Sequence, residues 1–311
     1  MTFRLGREWP SCIALASFYV FLTFAAPGFY RLENLRDIAL ANIPVLLVAL
    51  GMTLVIIVAQ IDISVGSLFA VTSVACGVLA KHGVPNLLLP LAGLVIGSAL
   101  GAVNGALVAF IGIPSIVVTL ATMFAWREAL RWITGGAWIE GLPPTFQWFG
   151  LAQISGERLI FLSALILFAV FWWASRNISG FRFIYATGSN AEASRLAGIS
   201  PTQVTLWVFI VLGGLTGIAS FLNAARFSDI PANSGNGLEL TAIAAVVVGG
   251  TPITGGRGSL VGTLSGVALL SSIGPALIFL GANPFWDKVI QGAVILMTVL
   301  LDSVFARRER R

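Results

Sequence analysis

Apolar stretches recur along almost the whole of this 311-residue chain. A stretch of about 20 apolar residues crosses the roughly 30 Å hydrocarbon layer of a membrane as one α-helix. Only 10% of the residues are charged, compared with roughly 25% in soluble domains, so a soluble fold is excluded. The 34 glycines suit close helix packing in lipid and argue against a β-barrel. The sequence therefore predicts an all-α polytopic membrane protein with a single domain over residues 1–311.

About ten membrane-spanning helices are predicted from these stretches. They lie at residues 12–26, 38–59, 65–80, 87–111, 115–133, 159–175, 204–224, 240–249, 260–279 and 289–305. The stretch 240–249 is too short to cross a membrane alone as a straight helix. We expect it either to be extended by its flanks or to form a broken or re-entrant element that the protein shields from lipid.

The distribution of basic residues predicts the orientation of the chain. A polar loop at 176–203 is basic, and so are both termini, which carry Arg4, Arg7, Arg307, Arg308, Arg310 and Arg311. Cytoplasmic loops of membrane proteins carry an excess of Lys and Arg. With an even number of spans, we expect both termini and the loop 176–203 in the cytoplasm. The net charge of +5 thus indicates membrane orientation and not nucleic-acid binding.

The polar segment 191–201 interrupts the apolar pattern and predicts a short helix. Ser189 or Asn190 is expected to cap its first turn, where Glu192 favours the positive end of the helix dipole. Gly198 suits a left-handed stop just before Pro201. Such a short, self-capped helix suits docking to a soluble partner on the cytoplasmic side. A helix that merely rests at the membrane interface is the alternative.

The sequence contains none of the short motifs that carry nucleotide binding or catalysis. The run 255–259 has the glycines of a phosphate-binding loop but no lysine at the required spacing. Cys12 and Cys76 lie in separate apolar stretches, and the single histidine, His82, has no acidic or cysteine neighbour. We therefore expect a chain that is not an enzyme and that binds no metal, no cofactor and no ATP itself.

Polar and ionisable residues near the spans bear on the energy source. The acidic residues all fall at predicted span ends, at Asp62, Glu128, Glu239 and Asp302. Because ion pathways usually place ionisable groups inside spans, this pattern disfavours a carrier driven by an ion gradient, which remains the alternative. The candidate pathway residues within spans are Asn104, Thr119, Thr122 and Asn223. Each of these also suits an ordinary hydrogen bond between helices.

Two tight turns, at 62–67 and 251–259, share a Gly-Ser-Leu step. Ser67 and Ser259 are expected to cap the helices that follow them. Asp62 and Ser64 are likewise expected to accept hydrogen bonds from backbone N–H groups at a helix start. If both turns lie at the cytoplasmic face, the residues that would contact a partner are Asp62, Ser64, Gly66 and Arg257.

The polar segment also resembles a known motif. Glu192-Ala193-Ser194 followed by Gly198 is similar to the Glu-Ala-Ala-x-x-x-Gly coupling motif of bacterial ATP-binding-cassette importer permeases. The segments 49–67, 104–120, 184–198 and 237–262 resemble, in order and over nearly the whole chain, the ribose and related sugar permeases of that class. The segment 134–143 is similar to permeases for autoinducer-2 and for rhamnose. The chain departs from the family at Ala59-Gln60, where Gly-Gly is frequent, and at Ala121, where glycine is frequent.

The resemblance implies a permease subunit in the bacterial inner membrane that moves a small sugar or sugar-like molecule. It implies a second permease subunit, identical or different, and an extracytoplasmic sugar-binding protein. It also implies an ATPase subunit, which uses ATP and Mg²⁺ and docks on a coupling helix formed by Ala191, Glu192, Ala193, Ser194 and Gly198. A purely structural membrane anchor is a third reading, beside the ion-driven carrier.

Overall fold

The computed structural model describes residues 9–309, with the side chains of residues 9–297 and of Leu300. Over these residues the chain forms twelve α-helices and two short 3₁₀-helices, at Pro27–Tyr30 and Gln147–Gly150. The α-helices are α1 (Trp9–Ala25), α2 (Leu32–Ile57), α3 (Val65–Lys81), α4 (Leu89–Ala109), α5 (Ser115–Thr134), α6 (Gln153–Asn177), α7 (Ser179–Ser189), α8 (Ala191–Leu196), α9 (Pro201–Ala224), α10 (Leu238–Val248), α11 (Leu260–Phe279) and α12 (Trp286–Glu309).

The helices bear out the prediction of an all-α polytopic membrane protein. Each of the ten predicted spans overlaps one α-helix. Five helices are long and apolar enough to cross a membrane, namely α2, α4, α6, α9 and α11, and α1, α3 and α10 are shorter apolar helices. The number of spans, about ten, stays a prediction. The basic residues predicted to orient the termini, and Asp302, lie outside the described side chains.

The helix α9 packs closely against α4 because glycines line the contact. Four glycines, spaced four residues apart, form one face of α4: Gly93, Gly97, Gly101 and Gly105. The first three face Gly213 and Gly217 of α9, and a Cβ atom added to Gly93 would lie 2.7 Å from the carbonyl oxygen of Gly217. Small residues let helix backbones approach in this way. The close packing expected from the glycine content is therefore present.

The element predicted at 240–249 is broken, as its length requires. Helix α10 has 11 residues and is about 16 Å long, roughly half of the hydrocarbon thickness. The chain before it runs antiparallel to α3, since Ile230 lies beside Gly77 and Gly235 lies beside Gly66. This non-helical segment runs along one part of the bundle, and α10 continues from its end along the next part. Most of the α10 side chains are buried, so protein shields the break.

The two ends of the helix bundle differ in what they carry. At one end lie α7, α8, the loop 249–259 and the C-terminal end of α2. A hydrogen bond of 2.8 Å from Gly256 N to Ile57 O joins the loop to α2. We call this the α8 end. At the opposite end, the loop after α5 pairs with the chain after α9 through backbone hydrogen bonds between Ile139 and Ile230.

Candidate functional site

The short helix α8 has the local structure that its sequence predicts. The Oδ1 atom of Asn190 accepts a hydrogen bond of 2.9 Å from Ala193 N, so Asn190 is the cap. Glu192 lies in the first turn and forms an ion pair of 2.7 Å with Arg195 on the exposed face. Gly198 has a φ of +81°, a left-handed conformation that ends the helix before Pro201 begins α9.

Helix α8 exposes most of its residues. Ala191, Glu192 and Ala193 are exposed, and Leu196 at its end is 81% exposed. Ser194 is the exception, since it is only 4% exposed, and its predicted part in the coupling helix stays a prediction. Its place in the helix turns it toward the chain itself. The sequence reasoning missed Leu196, although an apolar residue within a polar segment was the signal.

Directly before α8, the end of α7 packs against the end of α2 and against the loop 249–259, and we call this contact cluster the seat. We define the seat as Ile57, Gly188, Ser189, Gly256 and Gly258. Gly188 contacts the carbonyl of Ile57 so closely that no side chain fits there. The hydroxyl of Ser189 donates to Gly256 O over 3.3 Å. These contacts connect the residues just before α8 to the end of α2 and to the loop 249–259.

Helix α7, which carries two seat residues, was not anticipated from the sequence. The loop 176–203 was expected to hold one helix, and the structure places two in it. The hydroxyl of Tyr185 on α7 donates to Gly258 O over 3.0 Å. This bond adds a second connection between α7 and the loop 249–259. Arg257 in the same loop is exposed, and its predicted contact with a partner stays a prediction.

A buried polar cluster holds the break between α2 and α3. The Oδ1 atom of Asp62 accepts hydrogen bonds from Ser64 N at 2.8 Å and from Ser64 Oγ at 2.6 Å. The Nδ2 atom of Asn104 on α4 donates to Ser64 Oγ over 2.8 Å and lies 3.4 Å from Asp62 Oδ2. All three side chains are almost completely buried. The Oδ1 atom of Asn104 has no hydrogen-bond partner among the described residues.

The cluster extends to α5 through the backbone of Ile61. Ile61 N donates to Ser115 Oγ over 3.2 Å, and Thr119 Oγ1 lies 3.5 Å from Ile61 O. Of the pathway candidates, Asn104 and Thr119 are thus brought together around one break. Thr122 bonds to its own helix, at Val118 O over 3.1 Å, and Asn223 lies in the last turn of α9. Asn104 thus makes the ordinary hydrogen bond between elements that the sequence also allowed for it.

Three residues expected to face a partner are instead enclosed by the chain. Asp62 is 1% exposed, Ser64 is fully buried, and Gly66 is also buried. The position of Gly66 leaves no room for a side chain, because the Glu239 carboxylate and the Gly235 carbonyl fill the space. The expectation of partner contacts at Asp62, Ser64 and Gly66 is therefore wrong. It failed because the turn lies inside the bundle.

The predicted helix caps at the two Gly-Ser-Leu steps have different outcomes. Ser259 caps α11, where its Oγ accepts from Gly262 N at 3.3 Å. Ser67 lies inside α3 and donates to Ser64 O over 2.8 Å, so its predicted cap is wrong. Asp62 does accept from a backbone N–H at the start of α3, whereas Ser64 makes no side-chain cap bond.

The interior of the bundle is less bare of charge than the sequence suggests. Glu239 lies at the start of α10, against α3, and Arg127 of α5 donates to Ser234 O over 3.0 Å just before α10. Together with buried Asp62, these residues place ionisable groups inside the bundle. Asp62 and Glu239 nevertheless lie beside helix starts, because the chain breaks inside the bundle before α3 and before α10.

The opposite end of the bundle carries its own ionic contacts. Glu157, only 4% exposed, accepts from Gln153 Nε2 at 2.8 Å and lies 3.4 Å from an Arg36 nitrogen. Arg226 donates to Leu40 O over 3.1 Å. Burial lowers the pKa of the Arg226 guanidinium, and the neighbouring carboxylates of Asp37 and Glu157 partly oppose that effect. These contacts fix the ends of α2, α6 and α9 to one another.

Residues 34–299 match the family model described as "Branched-chain amino acid transport system / permease component". The chain belongs to this permease family. The ribose import permease protein RbsC of Escherichia coli K12 is 34% identical over 300 residues, which cover 95% of this chain and 94% of the relative. The autoinducer 2 import system permease protein LsrC of Salmonella typhi is 33% identical over 303 residues, covering 96% and 86%. No solved structure matches the chain.

The comparisons confirm the resemblance to importer permeases. The permease is a transport subunit and not an enzyme, since its family and its relatives are permeases. Membership of this family, and not the position of acidic residues at span ends, is thus the reason to set aside a carrier driven by an ion gradient. The structure also shows why glycine suits one position at which this chain departs from the family pattern. Ala59 has a φ of +58°, a conformation in which glycine, frequent there in the family, carries no steric cost.

Proposed function

We propose that this permease is the membrane subunit of an ATP-binding-cassette importer for a small sugar or sugar-like molecule, such as a ribose-type pentose, rhamnose or autoinducer-2. The names of similar permeases, for ribose and for autoinducer 2, support this class of cargo. The observation that carries the proposal is the exposed helix α8, which directly follows the seat, where the end of α7 packs against the end of the buried helix α2. The permease subunit makes and breaks no covalent bond of the cargo.

The ATPase subunit docks on α8 from the cytoplasm in this proposal. It binds the ATP and Mg²⁺ that this chain has no motif to hold. Leu196 is an exposed apolar anchor, with the ion-paired Glu192 and Arg195 beside it. An apolar residue that enters a pocket of a partner, surrounded by polar contacts, is a common source of binding energy. Ala191, Ala193 and Gly198 complete the proposed contact, and Arg257 lies at the same end of the bundle.

Movement of α8 is transmitted through the seat in this mechanism. Closure of the ATPase displaces α8 and α7 together, because the Asn190 cap follows directly on Ser189. The bonds of Ser189 and Ile57 to Gly256 pass the displacement to the end of α2. Ile57 lies only five residues from Asp62, where the buried cluster joins α2 and α3 to α4 and α5. Alternating access then follows from a shift of packed helices.

A second permease subunit, identical or different, faces α5 in this proposal. Helix α5 exposes an ion pair of 3.0 Å between Glu128 and Arg131, whose side chains are 59% and 61% exposed. Charged side chains are costly against hydrocarbon, so this face is better placed against another subunit or a water-filled pathway. An extracytoplasmic binding protein delivers the cargo at the opposite end. Both termini and α8 lie on the cytoplasmic side of a bacterial inner membrane.

Replacement of Leu196 tests the docking of the ATPase. We expect Leu196→Ala to weaken the ATPase–permease complex by roughly 1–3 kcal/mol, because an anchor residue loses its apolar contact. The measurement is co-purification of the ATPase subunit and ATP-dependent uptake in proteoliposomes that also contain the binding protein.

The matched control is Leu87→Ala at the opposite end of the bundle, where Leu87 is 86% exposed. This variant should keep its assembly with the ATPase. Equal assembly of the two variants with the ATPase would contradict the proposed role of α8.

A further inference from the structure

A residue that closely follows the end of α2 at the seat has a strained backbone. Ala59 has a φ of +58°, in the left-handed region where the Cβ atom of any residue but glycine is crowded. Its amide donates to Ile56 O over 2.9 Å. A Cβ atom added to Gly255 would lie 2.8 Å from Ala59 N, so the loop 249–259 packs directly against the strained residue.

A buried hydroxyl of the same loop lacks a hydrogen-bond partner. Thr251 is 0% exposed, and among the described residues its Oγ1 atom forms no hydrogen bond. This hydroxyl lies beside the seat, since a Cβ atom added to Gly258 would lie 2.9 Å from it. A buried hydroxyl without a partner retains the full cost of leaving water.

The α7 side of the seat has the same feature. Thr187 immediately precedes Gly188 and is 6% exposed, and its Oγ1 finds no partner within the described part of the chain. Elsewhere in the bundle, the buried hydroxyls of Thr53, Thr72 and Thr216 are all bonded. Among the residues that the structure describes, the buried threonine hydroxyls without a partner are therefore found at the seat.

We propose that the seat is a two-state switch and that the present structure holds it in the strained state. In the second state, the end of α7 and the loop 249–259 shift against the end of α2. Ala59 then returns to a negative φ, and the hydroxyls of Thr187 and Thr251 reach acceptors. Backbone strain of this kind persists only where the surrounding structure imposes it, and it is typical of switch regions.

A switch of this kind would let a docked partner select one arrangement of the seat. The partner needs only to bind one state more tightly than the other, because the two states differ little in free energy. The role of the switch in coupling rests on the proposed function, whereas its existence does not.

Relief of the backbone strain tests the first part of the proposal. Ala59 is exposed, so Ala59→Gly removes the crowded Cβ atom with little loss of packing. We expect this variant to raise the midpoint of thermal unfolding of the purified chain by about 2 °C. The control is Ala99→Gly on the exposed face of α4, where the same change should lower the midpoint. A midpoint of Ala59→Gly no higher than that of the wild type would overturn the proposal.

Removal of an unpaired hydroxyl tests the second part. Thr251→Val keeps the shape of the side chain and deletes the hydroxyl, so it should raise the midpoint by a similar amount. Thr53→Val is the matched control, since Thr53 is also fully buried but its hydroxyl bonds to Ala49 O and to Thr263 Oγ1, each over 2.7 Å. This control should lower the midpoint. If Thr251→Val fails to raise it, the hydroxyl has a partner such as a bound water molecule, and the proposal is overturned.

The distance between α7 and the loop 249–259 reports the two states directly. Spin labels on Arg182→Cys and Thr254→Cys, both at exposed positions, measure it by double electron–electron resonance in a chain whose free cysteines are replaced by alanine. We expect two distances, one of them that of the present structure. Ala59→Gly and Thr251→Val should each enrich this one about fivefold relative to the other. A single distance in the wild type would overturn the proposal.

This measurement uses the permease chain alone and therefore separates two failures. A single distance together with intact docking of the ATPase would overturn the switch and leave the proposed function standing. Two distances without docking of the ATPase would contradict the proposed function and support the switch.

Discussion

Single buried side chains hold the most irregular part of this permease in place. Between α2 and α3 the chain leaves helical conformation, and its polar groups need partners that the surrounding apolar helices do not offer. Asn104 supplies one such partner from α4, as a donor to Ser64 and Asp62. A buried carboxylate without donors is costly, so the amide of Asn104 is worth more than an average bond between helices.

Replacement of Asn104 is therefore expected to destabilise the permease. In Asn104→Ala, Asp62 Oδ2 and Ser64 Oγ lose a donor in a buried site, which should lower the free energy of unfolding by about 1–3 kcal/mol. Unfolding of the purified chain in detergent, followed by circular dichroism, measures the change.

Thr122→Ala is the control for this variant, since the Thr122 hydroxyl bonds only to carbonyls of its own helix. Its effect should be small. A destabilisation by Asn104→Ala no larger than that of the control would show that the cluster does not stabilise the break.

The sequence located these side chains without showing that they meet. Asn104 and Asp62 are 42 residues apart in the chain, and the sequence places them in different predicted elements. Hydrophobicity alone favoured a position for Asp62 at a membrane face, because a charged turn is cheapest there. Only the packing of α4 and α5 around the turn buries it. The burial of Ser194 likewise follows only from the packing, since a six-residue helix gives little indication of which side faces the chain.

At the level of helices, backbone proximity decides which elements move together. The α4–α9 contact allows no side chain at its centre, because glycine on one helix meets the carbonyl oxygens of the other. Helix α10 meets α11 in a similar way, since a Cβ on Gly249 would lie 2.5 Å from Gly262 O. We expect each such pair to move as a rigid unit. The polar breaks, at 58–64 and 225–237, are then the places where units join.

A larger residue in the α4–α9 contact should separate these helices. We expect Gly97→Leu to prevent normal folding or to lower the stability by more than about 3 kcal/mol, because overpacking here displaces two backbones and not only side chains. Ala99→Leu introduces the same side chain on the exposed face of α4.

The yield of monodisperse protein after size-exclusion chromatography, together with its thermal unfolding, distinguishes the two variants. Gly97→Leu should fail where Ala99→Leu succeeds. Similar behaviour of both would mean that the contact tolerates separation of α4 from α9.

The spacing of the α4 glycines at every fourth residue is visible in the sequence, but the helix that packs against them is not. The repeat predicts that some helix packs closely at that face. It does not say that α9, more than 100 residues later, is that helix. Similarly, the length of the apolar stretch around α10 predicts a broken element. The antiparallel path of the non-helical segment before α10 along α3 follows only from the packing of Gly66 and Gly77.

Over the whole molecule, α2 connects the two ends. In its most apolar stretch of 18 residues, 78% of the residues are buried, compared with 22% of the residues in the corresponding stretch of α6. At the opposite end α2 carries Arg36, which contacts buried Glu157, and at the α8 end its last residue is bonded to Gly256. A central helix with contacts at both ends is well placed to link cargo delivery on one side to a motor on the other.

This arrangement gives a prediction about the energy source. The purified permease alone, in proteoliposomes with a proton or sodium gradient, should accumulate no sugar, because its proposed motor is a separate subunit. Addition of the ATPase, the binding protein and ATP should produce uptake. Radiolabelled ribose is a suitable first cargo to measure.

Gradient-driven uptake by the chain alone would favour the ion-driven carrier, for which buried Asp62 and partly buried Glu239 would be the first residues to examine. The reconstituted importer without nucleotide is the control for passive leakage.

The sequence by itself determined the class of the protein, its apolar helices and the caps of α8, because these depend on local hydropathy and on bonds between residues three or four apart. It also carried the family motif. The tertiary structure alone decided that Asp62 is enclosed, that Gly66 meets Glu239, and that the end of α7, just before α8, contacts the end of α2 and the loop 249–259. Those contacts join residues far apart in the chain, and in a membrane protein nearly every helix is apolar on all sides, so local patterns do not identify its neighbours.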